Sequence, residues 1–336
     1  MGVTRKIMLS RRNMLRILLA ANAGGAALNG LFTGCAAGKP GADVFIGKAG
    51  DYNAEIASLI RDGLRELNVS GEEIRGKRIL FKVNIVEPHT GLDHIVTNPA
   101  VVMAAMEAFS ALGAGEIIVA EGAGHCRDTY RILEESGFDR IVGNSKITFV
   151  DLNYDAWRIT PNAGNATHFK SFYLPATLKQ VDWIVSMPKL KTHHWAGVTL
   201  SMKNLFGVLP GSFYGWPKNV LHVAGIIESI LDINATVKPH FAIVDGIVGM
   251  EGDGPIMGSA KAAGIIVMGR NLPAVDATCA RCMGIDPRKI KYLASADQGL
   301  GPIRESLIRQ RGEPWKAVRS DFKLLDYIEA HQGLRL

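Results

Sequence analysis

Short apolar runs alternate along this chain with segments whose apolar positions recur at helical spacing. Residues 51–67 place Ile56, Leu59, Ile60, Leu64 and Leu67 on one stripe, the signature of an amphipathic helix. "RILFKVNIV" (residues 78–86) then reads as a buried strand. Asn98-Pro99 is a capping residue followed by a first-turn proline, and predicts a helix through Val102, Met106 and Phe109. The strand "EIIVAEGAG" (116–124), a helix over 130–136 and the strand "KITFVDLN" (146–153) continue the alternation. After an irregular stretch at 156–166, the candidate boundary, "THFKSFYLP" reads as an edge strand, and residues 181–185 as a central one. A long helix over 219–234, strands over 240–250 and 263–270, and helices to the C-terminus complete the pattern.

Continuous apolar runs between amphipathic helices predict an α/β fold: a mostly parallel sheet with helices on both faces, in a single large domain. The ends of the strands then matter. Lys82 and Asn84 end the first; Glu121 with a Gly-Ala-Gly turn ends the second, and Asp151 the third. Lys189, Lys191, His193 and His194 end the fourth, and Asp245, Glu251 and Asp253 the fifth. Ligands of open α/β sheets bind outside the carboxyl ends of the strands, so parallel strands would gather these side chains at one edge.

The composition, 47% hydrophobic and 21% charged over 336 residues, is that of a soluble chain with a sizeable core. The formal charge of +6 suggests a basic protein until its location is read. Arg5, Lys6, Arg11, Arg12 and Arg16 precede the first acidic residue, Asp43, and the remainder is close to neutral. No nucleic-acid partner is expected from such a body. "SRRNMLRI" resembles a twin-arginine export signal, and residues 17–32 form the short apolar segment that follows one. Residues 1–35 therefore read as a leader, with Arg11 and Arg12 as the pair the export machinery recognises, and residues 43–336 as the α/β domain. "LFTGC" has the Gly-Cys end of a lipobox, with Phe32 where Leu or Val is usual. Lipid on Cys35 would hold the protein on the outer face of a membrane; cleavage near Ala36-Ala37 would release it. Both outcomes are extracytoplasmic: the periplasm or the outer membrane face.

"MPKLKTHHWAGVTLSMKNLFG" carries the strongest chemistry, because its cations have no acidic partner nearby in the sequence. Lys191, His193 and Lys203 are the catalytic candidates. Lys82, Asn84, Lys189 and Asn204 are the candidates for holding a small anionic ligand. Asp245, Glu251, Asp253 and His194 form a candidate divalent-metal set, with the glycine-rich turn around them as the structural alternative. "CARC" (279–282) reads as two buried thiols on a helix, with a soft-metal cluster of His125, Cys126, Cys279 and Cys282 as the rarer reading. Asp276 sits in that helix's first turn, where the helix dipole by itself favours it. No ferredoxin-like cysteine run, Walker A loop or complete dinucleotide fingerprint is present, so an iron–sulfur cluster within this chain is not expected.

"MPKLKTHHWAGVTLSMKNLFGVLPG", "AIVDGIVGMEGDGPIMG" and "NLPAVDATCARCMGIDP" resemble the DUF362 family, a domain of unknown function, with the similarity strongest over residues 77–300. The resemblance implies an α/β fold and an exported member lacking the ferredoxin-like segment of some relatives; it implies no established reaction. The combined expectation is an anion-binding pocket at the sheet's carboxyl edge, with a divalent metal left open. The cofactor-loading export route inclines an enzyme toward redox chemistry. The alternatives are a non-catalytic binding protein for an anion or metal, and an accessory subunit of a membrane redox complex.

Overall fold

The apolar runs form strands because both of their faces are covered. The computed structural model describes residues 41–125, 127–144 and 147–336, the side chain of Asn144 excepted. The expectations for Arg11, Arg12, Cys35 and Cys126 lie outside the described residues. In chain order the strands are β1 (Ala42–Lys48), β2 (Arg78–Lys82), β3 (Glu116–Glu121), β4 (Thr148–Asp151), β5 (Trp157–Pro161) and β6 (Ser171–Pro175). They continue with β7 (Trp183–Ser186), β8 (Lys189–His193), β9 (Gly197–Thr199), β10 (Phe241–Glu251), β11 (Ser259–Gly269) and β12 (Ile308–Gly312). The main sheet runs β12-β1-β11-β10-β7-β2-β3-β4, and β8 continues beside β10 with β9 on its other side. All main-path neighbours from β10 to β4 are parallel.

Alternate residues of these strands feed two separate cores. Leu80, Ile184, Ala242 and Val244 face one layer, which includes the helices Ile226–Val237 and Leu272–Cys282. Ile79, Phe81, Trp183, Val185, Phe241 and Ile243 face the other, covered by the helices Ile56–Glu66 and Pro99–Ala111. The expected cap holds: Asn98 Oδ1 accepts from Ala100 N at 2.9 Å. The mostly parallel α/β sheet read from the pattern is therefore present.

Several elements differ from the sequence expectation. β11 runs antiparallel between β10 and β1, because the short connection over residues 252–258 returns the chain directly instead of through a helix. The segment 156–166 is irregular only in part: it supplies β5, which pairs with β6 in a separate two-stranded ribbon. β6 is thus no edge of the main sheet. Asp232 fastens that ribbon's loop to the helix Ile226–Val237, accepting from Ala166 N, Thr167 N, Thr167 Oγ1 and Asn162 Nδ2. The helix expected over 219–234 is broken at Gly225, whose φ of +109° suits glycine alone. β12, "IRQRG", is hidden by its polarity; it is an edge strand with no fully buried position. After the helices Leu272–Cys282 and Lys291–Ala296 the chain ends in this strand and short 3-10 turns, not in further helices.

β7 and β8 form one interrupted strand along β10, bent at Met187-Pro188. Proline supplies no N–H, and its carbonyl accepts from Asp245 N at 2.9 Å. Just beyond, Lys189 Nζ meets Asp245 Oδ2 at 2.6 Å, with both side chains fully buried. Tyr52 Oη donates to Asp245 Oδ1 at 3.1 Å, and Asn98 N donates to Asp245 Oδ2 at 2.9 Å. The pair joins β8, β10 and the entry to the helix Pro99–Ala111. Removing one partner of a buried pair leaves a bare charge, a loss of roughly 3–5 kcal/mol, whereas replacing both with apolar residues costs far less. Lys189→Met is thus expected to lower the unfolding free energy by that amount, and Lys189→Met/Asp245→Leu to recover most of it in denaturant titration. A single variant as stable as the parent protein would show that the pair does not organise this end of the sheet.

Candidate functional site

The carboxyl ends of β2 and β3, the strand β8 and the segment after β9 surround a cavity of about 340 Å³. Its polar lining includes Asn84, Glu121, Lys191, His193, His194, Thr199, Lys203, Asn204, Lys218 and His222. Val86, Trp195, Phe206, Pro217, Ile256 and Met257 supply apolar wall. A pocket of this size with a few convergent polar groups suits a small molecule.

Each wall has a local cause. β2 and β3 end here because their apolar alternation stops, leaving Lys82 and Glu121 side by side at 2.6 Å. Gly207 passes directly over that pair: a Cβ on it would stand 2.2 Å from Glu121 Oε1 and 2.6 Å from Lys82 Nζ. The short helix Ser201–Asn204 carries two of the lining residues, and Asp276 anchors its start. The buried Asp276 carboxyl accepts from Ser201 N at 2.8 Å, Ser201 Oγ at 2.5 Å and Met202 N at 3.0 Å. Burial raises its pKa to about 7 against those hydrogen bonds. The turn between β10 and β11 closes another side, and Gly254 in it lies where a Cβ would meet Thr192 O at 2.0 Å. The glycines of "GMEGDGPIMG" thus serve close backbone approach.

The expected anion-holding residues divide into framework and lining. Lys82 does not line the cavity: its Nζ is used by Glu121, by Val83 O at 2.7 Å and by Asn204 Oδ1 at 3.4 Å. Asn204 reaches the wall but is committed, donating to Lys82 O at 2.9 Å and Ser186 Oγ at 3.1 Å. Lys189 is spent on Asp245, outside the cavity. Asn84 is the least committed. Its Nδ2 donates to Asn204 Oδ1 at 3.1 Å, while its buried Oδ1 has no donor among the described residues, like the buried Oγ1 of Thr199, which also lines the cavity.

Lys191, His193 and Lys203, the catalytic candidates, do come together on the cavity wall. Lys191 Nζ donates to Ile95 O at 2.9 Å and Pro255 O at 3.0 Å. Burial first, and then Lys189 and Lys203, depress its pKa well below the usual lysine value. Lys203 is lowered to about 7 by burial and by Lys82. His193 is buried and neutral, its pKa pushed well down by burial and then by Lys203. Its Nδ1 accepts from Trp195 N at 3.0 Å and Ala196 N at 3.3 Å, which places the ring proton on Nε2. His193 is therefore a hydrogen-bond donor to the cavity, not a base.

The four-residue metal set does not assemble. Asp245 is consumed by Lys189, while Glu251 lies 3.4 Å from Lys261 and accepts from Lys323 N at 2.9 Å. Only Asp253 and His194 remain near each other, 3.8 Å apart. Among the described residues no three His, Cys, Asp or Glu side chains converge on a cation position. In the soft cluster, His125 lines the cavity, whereas Cys279 and Cys282 are buried in the helical core, where burial raises both thiol pKa values, Cys282 to about 12. The residue spacings could not show that the hairpin would direct Asp245 inward and Glu251 away.

Lys218 and His222 were missed. Lys218 is buried at the wall, hydrogen-bonded to Asn153 Oδ1, and its pKa is lowered to about 7 by burial. His222 Nδ1 lies 3.1 Å from Lys218 O. A carbonyl only accepts, so Nδ1 carries the proton and Nε2 is left as an acceptor; burial and then Lys203 lower the pKa to about 4. The signal available was the spacing Lys218…His222, one helical turn, directly after "GWP".

Among solved structures, the chain is similar to the lactate racemase apoprotein from Thermoanaerobacterium thermosaccharolyticum, with a TM-score of 0.39 and 13% identity over 66% of this chain and 53% of that one. It is similar in the same degree to a structural-genomics protein from Thermotoga maritima, with a TM-score of 0.37 and 15% identity over 66% and 58% of the two chains. The chain thus spans little more than half of either structure, and likenesses this slight carry no argument about activity. A thylakoid-associated protein of Synechocystis sp. (strain ATCC 27184 / PCC 6803 / Kazusa) is 25% identical over 289 residues, 84% of this chain and 85% of that protein. The family model described as "Domain of unknown function (DUF362)" matches residues 79–281, more than half of the sequence, and the chain belongs to that family.

Proposed function

We propose that the cavity binds a small organic anion of the carboxylate class and that its lysines act on this ligand by acid–base chemistry. One observation carries the reading. Lys191, Lys203 and Lys218 line a cavity whose one buried carboxylate, Glu121, is already paired with Lys82. Buried cations without counter-charges oppose folding, and an anionic ligand supplies the missing charge. Phe206, Ile256 and Met257 would cover an apolar body. Preplaced cations in a dry site also stabilise negative charge that develops during reaction. We further propose that the protein acts outside the cytoplasm. The support is the Arg11-Arg12 leader; no described helix is long and apolar enough to cross a membrane, which leaves that reading untouched.

The expected pH dependence follows from protonation. Lys218, with a pKa of about 7, holds a carboxylate only while protonated. Affinity for propionate, followed by calorimetry, should be full below about pH 7 and fall by up to about tenfold per unit above it. Lys218→Met should weaken binding and flatten this profile; binding independent of pH from about 6 to 9 would sink the assignment.

A second outcome concerns stability. A lysine whose folded pKa is depressed opposes folding while protonated, and this opposition is relieved as pH rises from about 7 toward the ordinary 10.5. Lys203→Met should therefore stabilise the protein by roughly 2–4 kcal/mol at neutral pH, with the gain vanishing near the ordinary value. A variant no more stable than the parent would argue against a desolvated Lys203. For the leader, Arg11→Lys/Arg12→Lys should retain the protein in the cytoplasm on cell fractionation; unchanged export would refute the signal.

A further inference from the structure

Five lysines gather at this end of the sheet, and four have acceptors. Lys82 is held by Glu121, Lys189 by Asp245, Lys191 by two carbonyls and Lys218 by Asn153. Lys203 differs: among the described residues its Nζ has no hydrogen-bond acceptor or ion-pair partner. It lies 4.0 Å from the centre of the Phe206 ring and lines the cavity. An ammonium needs acceptors for its hydrogens, whereas a neutral amine tolerates an apolar, aromatic surround and keeps a lone pair. Burial and then Lys82 oppose a positive charge there, as does Lys191, while Glu121, already paired with Lys82, favours one less strongly.

We propose that Lys203 is a nucleophilic amine that condenses with the carbonyl carbon of a small 2-oxo acid seated in this cavity. The inference rests on the anion-binding reading and names the ligand class. Lys218 would hold the carboxylate, and the Nε2–H of His193 would donate to the carbonyl oxygen. The Nζ lone pair forms the C–N bond while the C=O π pair moves to oxygen, which takes up a proton as nitrogen loses one. The resulting carbinolamine then expels its hydroxyl, with a second proton, as water. Amine and ketone thus become imine and water, with no oxidant or reductant required. The lowered pKa of Lys203, about 7, is consistent with a neutral amine available near neutrality.

The test is incubation with pyruvate and reduction by borohydride, read by intact mass and peptide mapping, with pyruvate and propionate binding measured in parallel. The expected result is one stable adduct on Lys203. Its yield should peak near pH 7, falling below as Lys203 gains a proton and above as Lys218 loses one. Lys203→Arg removes the nucleophile and puts a permanent cation in its place; the Lys203 adduct should fall to background while a cooperative thermal transition is retained. Lys203→Met serves as the second variant if the arginine does not fit. Pyruvate that binds without an adduct on Lys203 overturns the covalent step and leaves the anion site standing. An adduct spread over surface lysines, rising steadily toward the ordinary lysine value, does the same. If neither pyruvate nor propionate binds, both readings fail.

Discussion

The structure turns on taking lysines out of water at one end of a parallel sheet. Lys82, Lys189 and Lys191 are fully buried, Lys218 nearly so, and Lys203 is half-buried at a cavity wall. Desolvating an ammonium is costly, so each position needs compensation. The fold compensates them unequally. Two meet carboxylates, Glu121 and Asp245, and become structural pins. Lys191 has carbonyls and Lys218 an amide oxygen, while Lys203 has, among the described residues, only an aromatic face. The gradient from full pairing to none separates framework from site.

That framework is polar and closely interlocked. Asn204 links Lys82, Asn84 and Ser186, three residues from β2, its continuation and β7. Asp276 reaches from a different helix to hold the turn that carries Lys203 and Asn204. Buried networks of this kind have few alternative arrangements, because every misplacement leaves a polar group unsatisfied. Two buried oxygens that stay without a partner among the described residues, on the cavity-lining Asn84 and Thr199, stand out for that reason. The neutral rings of His193 and His222 add a donor and an acceptor with fixed tautomers, each fixed by a backbone contact at Nδ1.

Much of the architecture was legible because it depends on local pattern. Asn98-Pro99 and the stripe from Ile56 to Leu64 produce their helices, and the apolar runs of β2, β3, β7 and β10 produce strands. The failures share a cause as well. β12 is polar because an edge strand buries little, and the direction of β11 depends on a turn whose geometry period-two alternation does not encode. The ribbon of β5 and β6 is held by Asp232, some 60 to 70 residues away in sequence.

The sequence by itself determined the strand ends and hence the edge where cations collect, because side-chain alternation and strand termination are local properties. It could not determine which cations meet a carboxylate. Lys189 and Lys191 are two residues apart on one strand, yet one is locked to Asp245 and the other lines the cavity. The same limit separated Asp245, Glu251 and Asp253, which looked like one ligand set and serve three different neighbourhoods. Lys218 and His222 join the site only because the chain folds back over β2 and β3. Tertiary structure decided these assignments, since the energy of a buried charge depends on what surrounds it in space and not on its neighbours in the chain.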